Sequence, residues 1–401
     1  MISTAFTPAY RPRLRPNLAG AMLDEPDLFC IYDPNRIVPG HVPVTRRELD
    51  AVKLFAGDRT LAEIHQSVGV PIERLVELAM ALDRGLLLDG PTFREYLSGP
   101  VRRPSCIGCY SSEPNEIRAQ FRELFAGPGG PGLPDLSLPN RDNLRALLVP
   151  HMDFTRGGAT YGWGFKELAE QTEASLFVVI ATSHYSPQRF TLTRMNFSTP
   201  LGEVPTDRAY IDRLVRHYGP GLFDDPVAHL PEHSVELEVI LLQYLLENRR
   251  PFRIVPLVVG SFRDRVHGNA DPALASDIAR MVQALQKAES EAGEKVCYVI
   301  SGDLAHIGPK FDDPEPVAEP LLAHSLAQDR KILDRLNAAD PAGYFRVIAE
   351  ERDARRICGL PPTWLALAAL RPKTGRVLHY NRYIHPTGHE SVSFAAAAFY
   401  D

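Results

Sequence analysis

Histidines follow apolar segments at three separate places in this chain of 401 residues. The segments are 147–149, 176–180 and 296–300, and the histidines after them are His151, His184 and His306. Each segment has the composition and length of a buried strand. Ligands of open α/β sheets bind beyond the carboxyl ends of the strands, so these loops are expected at one sheet edge. Since imidazole serves both as a transition-metal ligand and as a general acid or base, the pattern predicts a metal or acid–base site there.

A fourth histidine, His233, stands at the start of a strongly apolar predicted helix over residues 235–247. The positive end of the helix dipole disfavours an imidazolium, so a neutral ring that binds a metal or accepts a proton is expected. Alternatively, Glu232 or Ser234 only caps the helix and His233 lies outside the site. Asp303 could bind the metal, orient a ligand histidine or simply turn its loop.

The composition excludes several classes of protein. Hydrophobic residues make up 44% of the chain and charged residues 23%, as in ordinary globular proteins. The net charge of -6 gives no reason to expect a nucleic acid or a membrane surface as partner. No apolar stretch is long enough for a membrane span, and residues 1–20 lack a secretory signal. Five cysteines do not make a disulfide framework in so long a chain, so a cytoplasmic location is expected.

Other reactive side chains give weaker signals. Cys106 and Cys109 have CxxC spacing, but no second pair accompanies them, and we interpret them as two unconnected thiols. Cys358 either points into the same cleft or is simply buried. A C-terminal set could line the cleft rim, although a solvated loop is more typical. That set is His385, His389 and Glu390, whereas no role is expected for His41, His65, His217, His267 and His324. Walker, GxGxxG and GxSxG motifs are absent, which argues against nucleotide binding and an α/β-hydrolase.

The chain is expected to contain a small first domain at residues 33–90, after an N-terminal extension at 1–32. Three short helices followed by a short strand at 85–88 resemble a winged helix, as in peptide-recognising PqqD-like domains and DNA-binding domains. The third helix carries both acidic and basic residues, which is poorly suited to binding phosphates. A docking module is therefore the favoured interpretation of this domain, and nucleic-acid binding is the less favoured one. Residues 91–102 are expected to be a linker.

Residues 103–401 alternate strand-like and helix-like stretches, which predicts an α/β fold with a central sheet flanked by helices. Amphipathic or apolar patterns predict helices at 113–125, 162–173, 207–217, 235–247, 273–292, 320–337 and 341–349. Two late strands are predicted at 376–383 and 391–399.

The second domain resembles the Memo family, whose bacterial and archaeal members are called AmmeMemoRadiSam system protein B. The resemblance covers residues 103–401 and rests on several motifs in the family's order. These are VPHMDFTRGGATYGWGF, ATSHYSPQRF, TPLGEVPTD, PEHSVELEVILLQY, IVPLVVG, SGDLAHIGPKF, RICGLPP and HESVSFAAAAF. The family is similar in fold to class III extradiol dioxygenases, which are non-haem iron enzymes.

This resemblance implies that His151 and His184 are metal ligands and that His233 is the third imidazole of the cavity. In animal Memo proteins a cysteine completes the site at the position of Ala305. An alanine methyl cannot bind a metal, so the third ligand is expected from His233, Asp303 or His306. The change also removes the soft sulfur that favours Cu(I).

Two functions from different classes follow. The first is a metal-dependent redox enzyme, dioxygenase-like, with Fe(II) as the expected metal, zinc or copper as alternatives, and a catechol-like substrate by analogy. His233, His306 and Asp303 are its candidate catalytic residues, with one of the two histidines as general acid–base. The second is a non-catalytic accessory protein that binds a peptide, or the radical-SAM and AMMECR1-like proteins with which bacterial relatives are associated.

Overall fold

A computed structural model of the chain describes residues 6–34, 37, 41–137 and 143–401. The chain divides into two compact units, Met1–Pro100 and Val101–Asp401. Each unit has its own hydrophobic core. None of the helices in the described ranges combines the length and the apolar character that a membrane span requires.

Among its described residues, the first unit contains a three-stranded antiparallel sheet and four helices. Its elements are β1 (Ala19–Met22), β2 (Leu28–Tyr32), β3 (His41–Thr45), α1 (Arg46–Val52), α2 (Leu61–Val68), α3 (Ile72–Arg84) and α4 (Pro91–Ser98). The strands lie in the order β1-β2-β3. Thr45 and Thr60 each form a capping box with the glutamate three residues later, which explains where α1 and α2 begin.

Local structure differs from the sequence-based prediction at three places in this unit. The expected extension contributes β1 and the whole of β2, because β2 pairs with both β1 and β3, and a local pattern does not reveal these partners. The expected linker forms α4, whose Pro91 occupies a first-turn position that needs no backbone donor. Residues 85–88 form a turn with one isolated bridge, between Leu14 and Leu88, in place of the predicted strand.

The second unit is built on an eight-stranded mixed sheet. Its strands, with those of a small accompanying sheet, are β4 (Val101–Arg102), β5 (Leu144–Val149), β6 (Leu176–Thr182), β7 (Phe190–Leu192), β8 (Asn196–Thr199), β9 (Gly202–Val204), β10 (Arg253–Val259), β11 (Val296–Ser301), β12 (His306–Ile307), β13 (Thr374–Ile384) and β14 (Ser391–Tyr400). The main sheet has the order β12-β14-β5-β11-β6-β10-β7, with β13 paired to β14, and β4-β8-β9 form the small sheet.

Helices cover both faces of this sheet. They are α5 (Pro114–Ala126), α6 (Phe154–Gly157), α7 (Ala159–Gln171), α8 (Arg208–Tyr218), α9 (His233–Leu246), α10 (Arg263–His267), α11 (Ser276–Ser290), α12 (Glu319–Asn337), α13 (Pro341–Glu350) and α14 (Leu360–Leu370), with short 3-10 turns at Pro220–Phe223, Pro272–Leu274 and Pro309–Phe311. Successive residues of the central strands pack into two separate cores, one containing α11 and α14 and the other α7 and α9. Burial on both faces explains why these strands are continuous apolar runs. The predicted α/β architecture is therefore confirmed.

The topology places three loops at one edge. Strands β5, β11 and β6 are adjacent and parallel, so their carboxyl ends lie side by side. Those ends lead into His151, Asp303 and His184 respectively. Gly302 is required at the centre of this edge, because an added Cβ atom would lie 2.5 Å from the Cα atom of Gly359. The backbones of residues 302 and 359 therefore approach closely at this edge.

Candidate metal centre

Three imidazoles from distant parts of the chain converge at this edge. The ring centroids of His151 and His184 are 5.0 Å apart, those of His151 and His233 5.3 Å, and those of His184 and His233 4.7 Å. One nitrogen of each ring lies within 4.8 Å of the others. Three imidazole donors at such separations could hold a divalent transition metal ion.

His151 follows β5 and is held from two sides. Its backbone N–H donates to Oδ1 of Asp303 at 3.1 Å, and its Nδ1 lies 3.5 Å from the hydroxyl oxygen of Ser301. The side chain is only 3% exposed. Burial, reinforced by the neighbouring His184 and His233, holds the pKa of His151 well below its usual value. A neutral ring with available lone pairs is the form that binds a metal.

Glu232 orients His184. One carboxylate oxygen lies 2.9 Å from Nδ1 of His184, and the other accepts the His184 backbone N–H at 2.8 Å. The same carboxylate caps α9 by accepting the Ser234 backbone N–H at 3.1 Å. A carboxylate on one ring nitrogen leaves Nε2 free and raises its basicity, as in many metal sites. Glu232 therefore both caps α9 and holds His184, and His233 nevertheless lies in the donor group.

The charges of this pair are coupled. Burial alone would lower the pKa of His184, but the Glu232 carboxylate and its hydrogen bond outweigh burial and raise that pKa. Burial would likewise raise the pKa of Glu232, but the positive charge available on His184 holds it well below the usual range. Glu232 is therefore an anion throughout the physiological pH range.

His233 is the first residue of α9, and its side chain is 28% exposed. Burial, together with the charge on His184, lowers the pKa of His233 to about 4. The ring is therefore neutral at pH 7, in agreement with the expectation drawn from its place at a helix N-terminus.

A second donor group shares His151 with Asp303 and Cys358. The Cys358 sulfur lies 3.2 Å from Nε2 of His151, and Oδ2 of Asp303 lies 3.6 Å from the same nitrogen. Burial raises the pKa of Asp303 to about 7 and holds that of the Cys358 thiol well above its usual value. Sequence reasoning left Cys358 undecided, and only its position in the RICGLPP motif hinted at this place in the cleft.

His306 belongs to neither of the donor groups found among the described residues. Its Nδ1 is 3.0 Å from the carbonyl oxygen of Leu304, and its ring packs against Phe311. Burial lowers its pKa to about 4. Ala305 is buried, and its backbone N–H donates to the Ser393 hydroxyl at 3.0 Å, so this loop is fixed to β14.

The remaining sequence candidates have structural partners. Glu390 is buried and accepts from Lys310 at 2.6 Å, with Arg156 at 3.4 Å. His385 and His389 pack edge to face in the loop between β13 and β14. Cys106 and Cys109 are both unbridged, yet their sulfur atoms lie 2.6 Å apart. Spacing alone could not reveal that proximity.

A cavity of about 340 Å³ opens beside the imidazoles. Its lining includes His184 and Cys358 from the donor groups, Phe262 adds apolar surface, and Arg263 and Arg356 add positive charge. Such a cavity is large enough for a small organic molecule.

Comparisons with known proteins agree with this architecture. The model of the Memo family, described as "Memo-like protein", matches residues 102–399. A MEMO1 family protein of Aquifex aeolicus is 24% identical over 393 residues, covering 93% of this chain and 96% of the relative. One from Methanothermobacter thermautotrophicus is 29% identical over 276 residues, covering 68% and 88%. One from Thermotoga neapolitana is 30% identical over 221 residues, covering 51% and 70%. The chain belongs to the Memo family.

Proposed function

We propose that His151, His184 and His233 hold one divalent metal ion, Fe(II) in the first instance, in a redox enzyme related to the extradiol dioxygenases. The observation that carries the proposal is the convergence of three imidazoles, one of them held by the buried Glu232 carboxylate. When bound, such an ion supplies Lewis acidity and electron transfer toward dioxygen and an organic substrate.

The surrounding residues suit proton transfer. Asp303 has a pKa of about 7, so at neutral pH its carboxyl group exists in both protonation states and can donate or accept a proton beside His151. His233 is neutral and partly exposed, which suits a ligand or a general base. His306 is held by its own loop, and we assign it a supporting role in this scheme.

The cavity favours a small substrate with an acidic group. Arg356 is neutralised by Asp313 at 2.7 Å, whereas the Arg263 guanidinium, within the described part of the chain, hydrogen-bonds to His267 and pairs with no carboxylate. Arg263 is therefore the available cation, and Phe262 offers an apolar surface for a ring. A catechol or another acidic aromatic compound fits this combination.

The test begins with anaerobic purification and metal analysis. We expect stoichiometric iron in the wild type and oxygen consumption with members of a catechol panel. His151→Ala and His184→Ala should lose both metal and turnover. His324→Ala is the matched control, because this histidine is 57% exposed and belongs to neither donor group. Full metal binding by both site variants would overturn the proposal.

A second candidate is the accessory function. The first unit presents a small sheet with β3 at one end of the strand order, and strand addition to a sheet edge is a common mode of peptide recognition. We propose that the first unit, which spans Met1–Pro100 and contains the domain expected at 33–90, is a PqqD-like winged-helix module for a peptide or for radical-SAM and AMMECR1-like partners. Partner capture that survives His151→Ala and His184→Ala, in a protein without metal, would favour this function over catalysis.

A further inference from the structure

The Cys106–Cys109 segment is a tight turn that brings two thiols together. The Cys109 backbone N–H donates to the Cys106 carbonyl at 3.0 Å, and Gly108 has a φ of +111°, which permits this turn. The two sulfur atoms lie 2.6 Å apart. That separation is well below ordinary contact between unbonded sulfur atoms, so bridging requires little rearrangement of the turn.

The turn is anchored on one buried carboxylate. Glu236 accepts the backbone N–H groups of Ser105 at 2.9 Å and of Cys106 at 3.0 Å, and it also accepts the Tyr110 hydroxyl. Glu236 itself is fully buried and paired with Arg102. The segment is therefore held rigidly on both sides of the pair, which keeps the thiols together in the reduced protein.

The two thiols differ in accessibility. Cys106 is 8% exposed, whereas Cys109 is partly exposed. An accessible thiol beside a buried one is the arrangement of an attacking and a resolving cysteine. In addition, the hydrogen bond from Cys106 lowers the pKa of Cys109, and the same contact, with burial, raises the pKa of Cys106.

We propose that Cys106 and Cys109 form a redox-active dithiol that closes to a disulfide by exchange with glutathione disulfide or a protein disulfide. The Cys109 thiolate attacks one sulfur of the oxidant, forming a mixed disulfide and releasing one thiol. The Cys106 sulfur then attacks Cys109, the S–S bond forms within the turn, and the second thiol leaves. The protein loses two electrons and two protons, and the oxidant gains both.

The test uses the full-length protein equilibrated with graded ratios of reduced to oxidised glutathione, followed by alkylation and mass spectrometry. Both cysteines lie in the tryptic peptide 103–118. As the glutathione ratio becomes more oxidising, we expect the doubly alkylated peptide to be replaced by a bridged peptide, two hydrogens lighter than the reduced, unalkylated peptide. The replacement should follow a single two-electron transition. A peptide that stays doubly alkylated at the most oxidising ratio, or a pair blocked by bound zinc, would overturn the proposal.

Two serine variants test the assigned order of attack. Cys106→Ser should accumulate glutathione on Cys109, because no resolving thiol remains, whereas Cys109→Ser should leave the buried Cys106 unmodified. Cys297→Ser is the control, since Cys297 is fully buried in β11 outside the turn. Equal modification of the two variants would contradict the assignment. The His151→Ala variant should form the same Cys106–Cys109 bridge as the wild type. A failure of the proposed metal centre can therefore be distinguished from a failure of this proposal.

Discussion

Glu232 shows how one side chain can fix both a helix and a ligand. Its carboxylate caps α9 and holds Nδ1 of His184, so helix start and ring orientation depend on the same two oxygen atoms. The sequence predicts a cap for α9, because Glu232 precedes the apolar run that forms this helix. The contact with His184 spans 48 residues and depends on tertiary packing, which no local pattern encodes.

We predict that Glu232→Gln weakens metal binding by roughly 10- to 100-fold, the usual cost of losing an orienting carboxylate. Glutamine retains an oxygen that can cap α9, but the charge that raises the pKa of His184 is lost. Competition titration with Zn(II) and a chromophoric chelator measures the affinity. Glu238→Gln is the control, because Glu238 lies on the same buried helix but in neither donor group. Equal affinities in both variants would contradict this role.

Glu238 carries a prediction about stability. It is fully buried, and burial, reinforced by the nearby Asp303, outweighs the hydrogen bond with Ser301 and holds the pKa of Glu238 well above its usual value. A carboxyl with a raised folded-state pKa stabilises the protein below its unfolded pKa of about 4.3, and that contribution is lost as pH rises through the folded pKa. The wild type should therefore lose stability relative to Glu238→Gln as pH rises.

The expected divergence is up to about 1.4 kcal/mol for each pH unit between the two pKa values. Urea unfolding of both proteins at intervals from pH 5 to pH 9 measures it. Every other titrating group is common to the two proteins, so the difference isolates Glu238. Parallel stability curves would show that the carboxyl is not protonated in the folded state.

At the scale of elements, α9 connects the candidate metal centre to the start of the second unit. Arg102, from β4, donates to the His229 carbonyl at 2.7 Å and the Glu232 carbonyl at 2.8 Å and pairs with Glu236. Both members of this ion pair are fully buried. The pair therefore fixes the loop before α9, from which Glu232 and His233 reach the site.

We predict that Arg102→Ala lowers the free energy of unfolding by about 3–5 kcal/mol, because the Glu236 charge would remain buried without its partner. Arg118→Ala is a matched control. Arg118 pairs with Glu247 at the other end of α9, but that pair is partly exposed, and a loss within about 1 kcal/mol is expected. Urea unfolding measures both. Similar losses in the two variants would mean that burial does not set the cost.

The central elements could be predicted from sequence, whereas the edges of the fold could not. Strands β6 and β11 are continuous apolar runs buried on both faces, a pattern typical of central strands in a parallel sheet. The strands β1 and β4 are short and depend on partners elsewhere in the chain. Cys358 lies before α14 and reaches His151 across 207 residues, so only folding reveals it as a neighbour.

At the scale of the molecule, the site residues all come from the second unit. The three imidazoles, Asp303 and Cys358 lie on one edge of one sheet between two cores that belong to residues 101–401. The rule that ligands bind beyond strand carboxyl ends predicted this edge. The rule could not identify which residue is the third donor beside His151 and His184. That choice depends on where α9 and the Cys358 loop pack at this edge, which the rule does not specify.

The position of Arg102 gives a sharp test of where the second unit begins. Sequence patterns suggest a start at residue 103, whereas the compact unit begins at Val101, and β4 pairs with β8 through Val101 and Arg102. We predict that a fragment of residues 101–401 folds and binds metal as the full chain does. A fragment of residues 103–401 should be less stable by about 3–5 kcal/mol, since it leaves Glu236 without its buried cation.

Urea unfolding and Zn(II) titration of the two fragments measure these differences. Equal stability would show that Arg102 is dispensable, and loss of metal binding by the longer fragment would show that the first unit contributes to the centre.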